Sequence, residues 1–134
     1  MKLIPLFICI ALALAACTTP VTPEDIKNAQ IPPQPKQMEI DKEVDSYLKR
    51  VLKDPESAKK ECAPPRKAWA RQYRDNPAKF GWLVVCDVNS KNSYGGYTGY
   101  KPYMFLFTSS GNQALDPARF RSLDEHVQFL DQIK

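Results

Sequence analysis

Histidine is almost missing from this chain: His126 is the only one in 134 residues. That excludes His-rich metal sites and leaves any general base without a second imidazole. Glycine is scarce, with five residues, and no P-loop or dinucleotide-binding glycine pattern occurs. GxSxG and HExxH are also missing. The four cysteines contain no CxxC pair, which removes the usual spacing of structural zinc sites and of dithiol oxidoreductases. Long hydrophobic runs are limited to one, residues 3–16, interrupted by Pro5. It is shorter than the ~20 residues that span a bilayer as a helix. The length itself leaves room for one domain and excludes a multi-domain enzyme.

What the chain does have is unevenly distributed. It is 43% hydrophobic with a formal net charge of +4, and fourteen of its first sixteen residues are apolar. The rest is therefore more polar than the average suggests. Lys2 followed by this apolar run has the pattern of a secretory signal. Residues 17–37 follow as a tether, because five of the twenty residues from 18 to 37 are proline. Such a segment is expected to be extended, reaching at most ~60 Å at ~3.1 Å per residue. Within it, Thr22 can cap a short helix with Pro23 in its first turn. Residues 38–134 are expected to form a single α+β domain.

The expected domain starts with a helix. Ile40, Val44, Leu48, Val51 and Leu52 fall on one face, with acidic residues early and basic residues late. Asp54-Pro55 ends it, and Asp54 can cap a turn through Ser57 and Ala58. Residues 67–73 alternate only weakly. Residues 82–88 and 103–108 are rich in branched and aromatic side chains and read as strands, with Trp82, Val84, Cys86 and Val88 on one face. Near the end, Asp116-Pro117 and the capping-box pattern Ser122 to Glu125 accompany Phe120, Leu123, Val127 and Leu130 at helical spacings. The expected architecture is an N-terminal helix, an antiparallel sheet of about three strands, a C-terminal helix and one disulfide.

Several residues could carry chemistry. Leu14-Ala15-Ala16-Cys17 resembles the lipobox of bacterial lipoproteins. The resemblance implies cleavage before Cys17 and a thioether-linked diacylglycerol on it, with a further acyl chain on its amine in many bacteria. Two or three acyl chains make a lasting membrane anchor where one does not. Thr18 stands where an aspartate would retain such a protein in the inner membrane, so the resemblance implies the outer membrane, facing the periplasm. In that oxidising compartment the remaining pair, Cys62 and Cys86, is expected to form a disulfide. The alternative is a pair of free thiols in a redox or metal site. Nucleic acid is not an expected partner there, and no cofactor is implied.

Residues 89–103 are the most distinctive stretch. Tyr94, Tyr97, Tyr100 and Tyr103 recur every third residue among glycines and amides. Tyrosine offers amphipathic contact area at low entropic cost. Asn89, Lys91, Asn92, Tyr94, Gly95, Gly96, Tyr97, Gly99 and Tyr100 are thus a candidate binding loop for an envelope protein or a glycan. The competing reading is a lid folded on the sheet edge, with its amides bonded to its own backbone. The pattern Asp54-Pro-Glu-Ser-Ala58, Cys86 and Lys91-Asn-Ser-Tyr-Gly-Gly-Tyr-Thr-Gly-Tyr100 resembles a group of small bacterial and phage-associated lipoproteins. These share a DPxSA-type turn and a VNxKNxxGGYxGxxxF-type loop, of which Asn89, Asn92, Gly95, Gly96, Tyr97 and Gly99 are the signature. The likeness covers roughly residues 40–108. Asp87 departs from it, standing where the group commonly has glycine. The resemblance implies a fold and a location and transfers no catalytic residue.

Three functions follow as expectations. The first is a membrane-anchored, non-enzymatic binding or accessory module using the Tyr/Gly loop. The second is an inhibitor of an envelope hydrolase such as lysozyme, with Ser93 and Tyr94 entering a cleft. The third is an enzyme using Asp87 and His126, although His126 reads as a solvated residue on a surface helix. Residues 49–79 hold ten Lys/Arg against four Asp/Glu, which reads either as a membrane-facing basic segment or as a solvated face.

Overall fold

A computed structural model describes residues 20–120 and 122–133. Helix α1 spans Pro23–Lys27 and helix α2 spans Gln37–Val51. Six strands follow: β1 Asp54–Cys62, β2 Arg66–Ala70, β3 Lys79–Lys91, β4 Lys101–Thr108, β5 Gly111–Leu115 and β6 Val127–Phe129. All pairings are antiparallel. The sheet runs β5-β4-β3-β2-β6, and β1 joins the same edge of β3 beyond the end of β2. The thirteen-residue β3 is the spine: its first half pairs with β2 and its second half with β1.

This sheet is buried on both faces, as the alternation along β3 requires. On one face Val84, Cys86, Val88, Phe105 and Phe107 pack against Ile40, Val44 and Leu48 of α2. Burying each of these aliphatic helix side chains contributes about 1.5–3 kcal/mol, which ties the helix to the sheet. Val51, expected on the same stripe, is exposed, because α2 ends there and Leu52 turns extended. On the opposite face Ala68, Ala70, Leu83, Met104, Leu106, Leu115 and Val127 form a second cluster, flanked by Phe120 and Phe129.

The expected C-terminal helix and three-stranded sheet are not what forms. After Leu115 the described chain makes 3-10 turns at Pro117–Arg119, Leu123–Glu125 and Leu130–Gln132, with β6 between the last two. Ser122 makes no side-chain cap, and Leu123 is exposed. The physical reason lies in β2, whose outer edge has unpaired backbone groups that need partners. Val127-Gln-Phe129 supplies them, pairing Ala68 with Phe129 and Ala70 with Val127. Four apolar residues at spacings of three and four are too few to distinguish a helix from a short strand plus turns. Arg66 fixes the new arrangement through two bonds from one guanidinium nitrogen to the Asp131 carboxylate (2.7 and 2.8 Å).

β1 was also expected only as a turn. The Asp54 carboxylate does accept from the Ser57 N–H (3.2 Å), so the local cap exists, but inside a strand with a register shift between Asp54 and Lys59. Of the residues expected as an extended tether, the described ones, 20–37, lie against the body. Thr22 caps α1 as its sequence indicated, Pro35 is buried, and the Pro32 carbonyl accepts from the Trp82 indole (2.9 Å).

Candidate functional site

The loop between β3 and β4, residues 92–100, is organised by two asparagines. The Asn92 side-chain oxygen accepts from the Tyr94 and Gly96 N–H groups (2.9 and 3.1 Å), and the Asn92 N–H donates to the Gly96 carbonyl (2.8 Å). The Asn89 side-chain oxygen accepts from the Gly99 N–H (3.0 Å). These are side-chain-to-backbone turns of the kind asparagine favours. Gly95 and Gly99 adopt positive φ values of 80° and 92°, a region that resists side chains with a Cβ. Asn89, Asn92, Gly95 and Gly99 therefore set the loop's own shape.

The returning limb lies on β1. The Tyr97 hydroxyl donates to the Ser57 carbonyl (3.3 Å), and the Ser57 hydroxyl accepts from the Lys91 N–H (2.9 Å). Lys59 and Lys91 both set their ammonium groups near the Tyr97 ring, at 4.7 and 5.6 Å from its centre. Cation–π contacts of this kind at exposed sites contribute ~0.5–1 kcal/mol. Tyr100 donates to Glu61 at 3.5 Å. The DPESA turn and the Tyr/Gly loop, distant in sequence, are thus one structure. Tyr97 and Tyr100 are 44% and 51% exposed, whereas Tyr94 is 97% exposed. Of the three loop tyrosines, only Tyr94 stands free on a shaped turn.

The disulfide joins Cys62 of β1 to Cys86 of β3 as directly opposed residues, with Cα atoms 4.0 Å apart. It clamps the platform on which Tyr97 and Tyr100 rest. Cys17 lies outside the described residues.

Asp87 and His126 do not come together. Asp87 is exposed, opposite Glu61 and Pro102. His126 is 4% exposed, so the solvated-helix expectation is corrected: its ring stacks on Phe120 (4.4 Å) and its Nδ1 meets the Arg71 carbonyl (3.2 Å). The basic segment is largely consumed by neighbours. Lys60 pairs with Asp41 and Asp45, Arg74 with Glu125, and Arg71 is buried with its Nε on the Glu125 carbonyl. Among the described residues no group of three His, Cys, Asp or Glu side chains is placed to hold a metal ion, and no helix is long and apolar enough to cross a membrane.

A concavity apart from the loop went unread in the sequence. A cleft of about 430 Å³ opens between Tyr47 of α2, Lys101-Pro102-Tyr103 of β4, Leu115 of β5 and Asp116-Pro117-Ala118. Burial beside Tyr47 and Asp116 holds the Tyr103 hydroxyl protonated beyond the ordinary tyrosine range. The only sequence signal was a lone tyrosine on the inward side of α2, too weak to pair with a strand 56 positions later. The chain matches no family model, no curated protein and no solved structure.

Proposed function

We propose that this protein is a lipid-anchored, non-enzymatic binding module of the bacterial envelope, working through the tip of its Tyr/Gly loop. The observation that carries the reading is Tyr94. A large aromatic side chain is 97% exposed on a turn that Asn92 holds in shape. Aromatic anchors dominate binding energy at interfaces, and a pre-shaped loop avoids the ordering cost of binding. Cys17, as the lipidated residue, would stand three positions before Pro20, where the chain already lies beside Pro77 and Phe80. The folded body would then sit close to the membrane instead of at the end of a long tether. The outer membrane, facing the periplasm, is the proposed location.

Exposed Tyr94 also favours the inhibitor reading, in which the same tip enters the cleft of an envelope hydrolase. One experiment tests the module and separates the two. A photo-reactive residue is placed at position 94 of the full-length protein in living cells, with position 38, also exposed, as control. The expected result is a discrete adduct at 94 and none at 38, with a hydrolase in that adduct selecting the inhibitor reading. Equal labelling at both positions refutes the loop as a binding surface. Loss of palmitate labelling in Cys17→Ser checks the anchor.

A further inference from the structure

The cleft beside Tyr103 is separate from the loop tip, and its chemistry is specific. Its volume lies within the ~300–1,000 Å³ range of small-molecule sites. Pro102, Leu115, Pro117 and Ala118 give it apolar walls, and the rings of Tyr47 and Tyr103 meet edge to face at 6.2 Å. Among the described residues neither tyrosine hydroxyl has a hydrogen-bonding partner, and neither does the Lys101 ammonium. Both side chains are half-buried with their hydroxyls open to solvent, where a ligand can bond them in place of water. The geometry therefore offers unspent donors on apolar walls.

Charge narrows the occupant. Asp116 is already matched, its carboxylate accepting from the Ala118 N–H and the Arg119 Nε (both 3.1 Å). A cationic ligand would meet Lys101 in the cleft wall, with the Arg50 guanidinium nearby at 5.8 Å from the Tyr47 ring centre. An anionic ligand would meet Asp116. A neutral molecule with apolar faces and many hydroxyls suits both the walls and the unpartnered tyrosine hydroxyls, because tyrosine combines an apolar ring with a polar tip. We infer that this cleft is a binding site for a neutral saccharide, held against the joined Tyr47 and Tyr103 rings and hydrogen-bonded by their hydroxyls and Lys101. This inference does not rest on the loop reading, since no residue of the cleft belongs to residues 92–97.

The test uses the full chain in a detergent that carries no sugar headgroup. Amide spectra are recorded during titration with chitotetraose, cellotetraose and maltotetraose. The expected result is saturable binding near or below about 1 mM for at least one sugar, with shifts at residues 101–103 and 115–118. Tyr47→Phe together with Tyr103→Phe keeps both rings and should weaken binding about tenfold with an unchanged melting temperature. Lys101→Gln, on the exposed side, gives an independent reduction should the double variant prove unstable. The inference is overturned if none of the sugars titrates, if shifts are confined to residues 92–97, or if a folded double variant binds like the parent.

Discussion

Reducing the Cys62–Cys86 disulfide should weaken the domain by an amount set by its loop and loosen the loop's platform first. The bond closes a separation of 24 residues. In the chain-entropy treatment a loop of that size stabilises by about 3.5 kcal/mol at 25 °C. That is a large share of the ~5–15 kcal/mol typical of a small domain. Comparing oxidised and reduced parent protein leaves the side-chain volume at Cys86, fully buried, almost unchanged, so the difference is free of a cavity term. With a urea dependence of about 1.5 kcal/mol/M, the midpoint followed by Trp69 and Trp82 fluorescence should fall by about 2 M. Structure adds where the loss is felt. Cys62 pins the end of β1, and Tyr97 and Tyr100 rest on Ser57 and Glu61 of that strand. Hydrogen exchange in reduced protein should therefore rise at residues 59–62 and at Gly99 before it rises at β4. A midpoint shift below about 0.5 M, or exchange that increases evenly over the sheet, would refute the reasoning.

Two further outcomes test the packing and the cleft. Trp82→Phe removes the indole bond to Pro32 at a cost of about 1 kcal/mol, and trypsin cleavage after Lys27 and Lys36 should accelerate about fivefold; an unchanged rate would show that the proline segment is held by other contacts. The Tyr103 phenol is raised above its ordinary value of 10.0, first by burial and then by Tyr47 and Asp116. Its protonated form is favoured in the folded state, so that contribution is complete below the unfolded value and is lost as pH rises through the folded one. Ultraviolet titration should show a late-ionising phenol that disappears in Tyr103→Phe, and its persistence would assign the shift to another tyrosine.

The two halves of this protein differ in how openly they are written. Ile40, Val44 and Leu48 recur at helical spacing, and residues 82–88 and 103–108 carry the branched and aromatic content of strands, so α2, β3 and β4 are legible. The Cys62–Cys86 pairing was expected from parity, once the compartment implied by the lipobox resemblance was assumed, and the disulfide is present. β1 was not, because Asp-Pro-Glu-Ser-Ala-Lys-Lys-Glu-Cys has little apolar alternation. It becomes a strand through pairing with β3 and through the disulfide. The C-terminal segment misled for a related reason: its sparse apolar residues fit two periods, and the open edge of β2 chose between them.

The same division runs through the candidate site. The residues of the loop could be named in advance, and Asn89, Asn92, Gly95 and Gly99 are needed there for reasons of backbone chemistry that act over a few positions. Which tyrosine is presented and which is structural depends on Ser57, Lys59 and Glu61, some 40 residues away. The cleft likewise exists only because α2, β4 and the turn after β5 converge. Local propensity and periodicity act within a few residues and can be read along the chain. Edge pairing and concavity arise between segments far apart in sequence, so only the folded structure decides them.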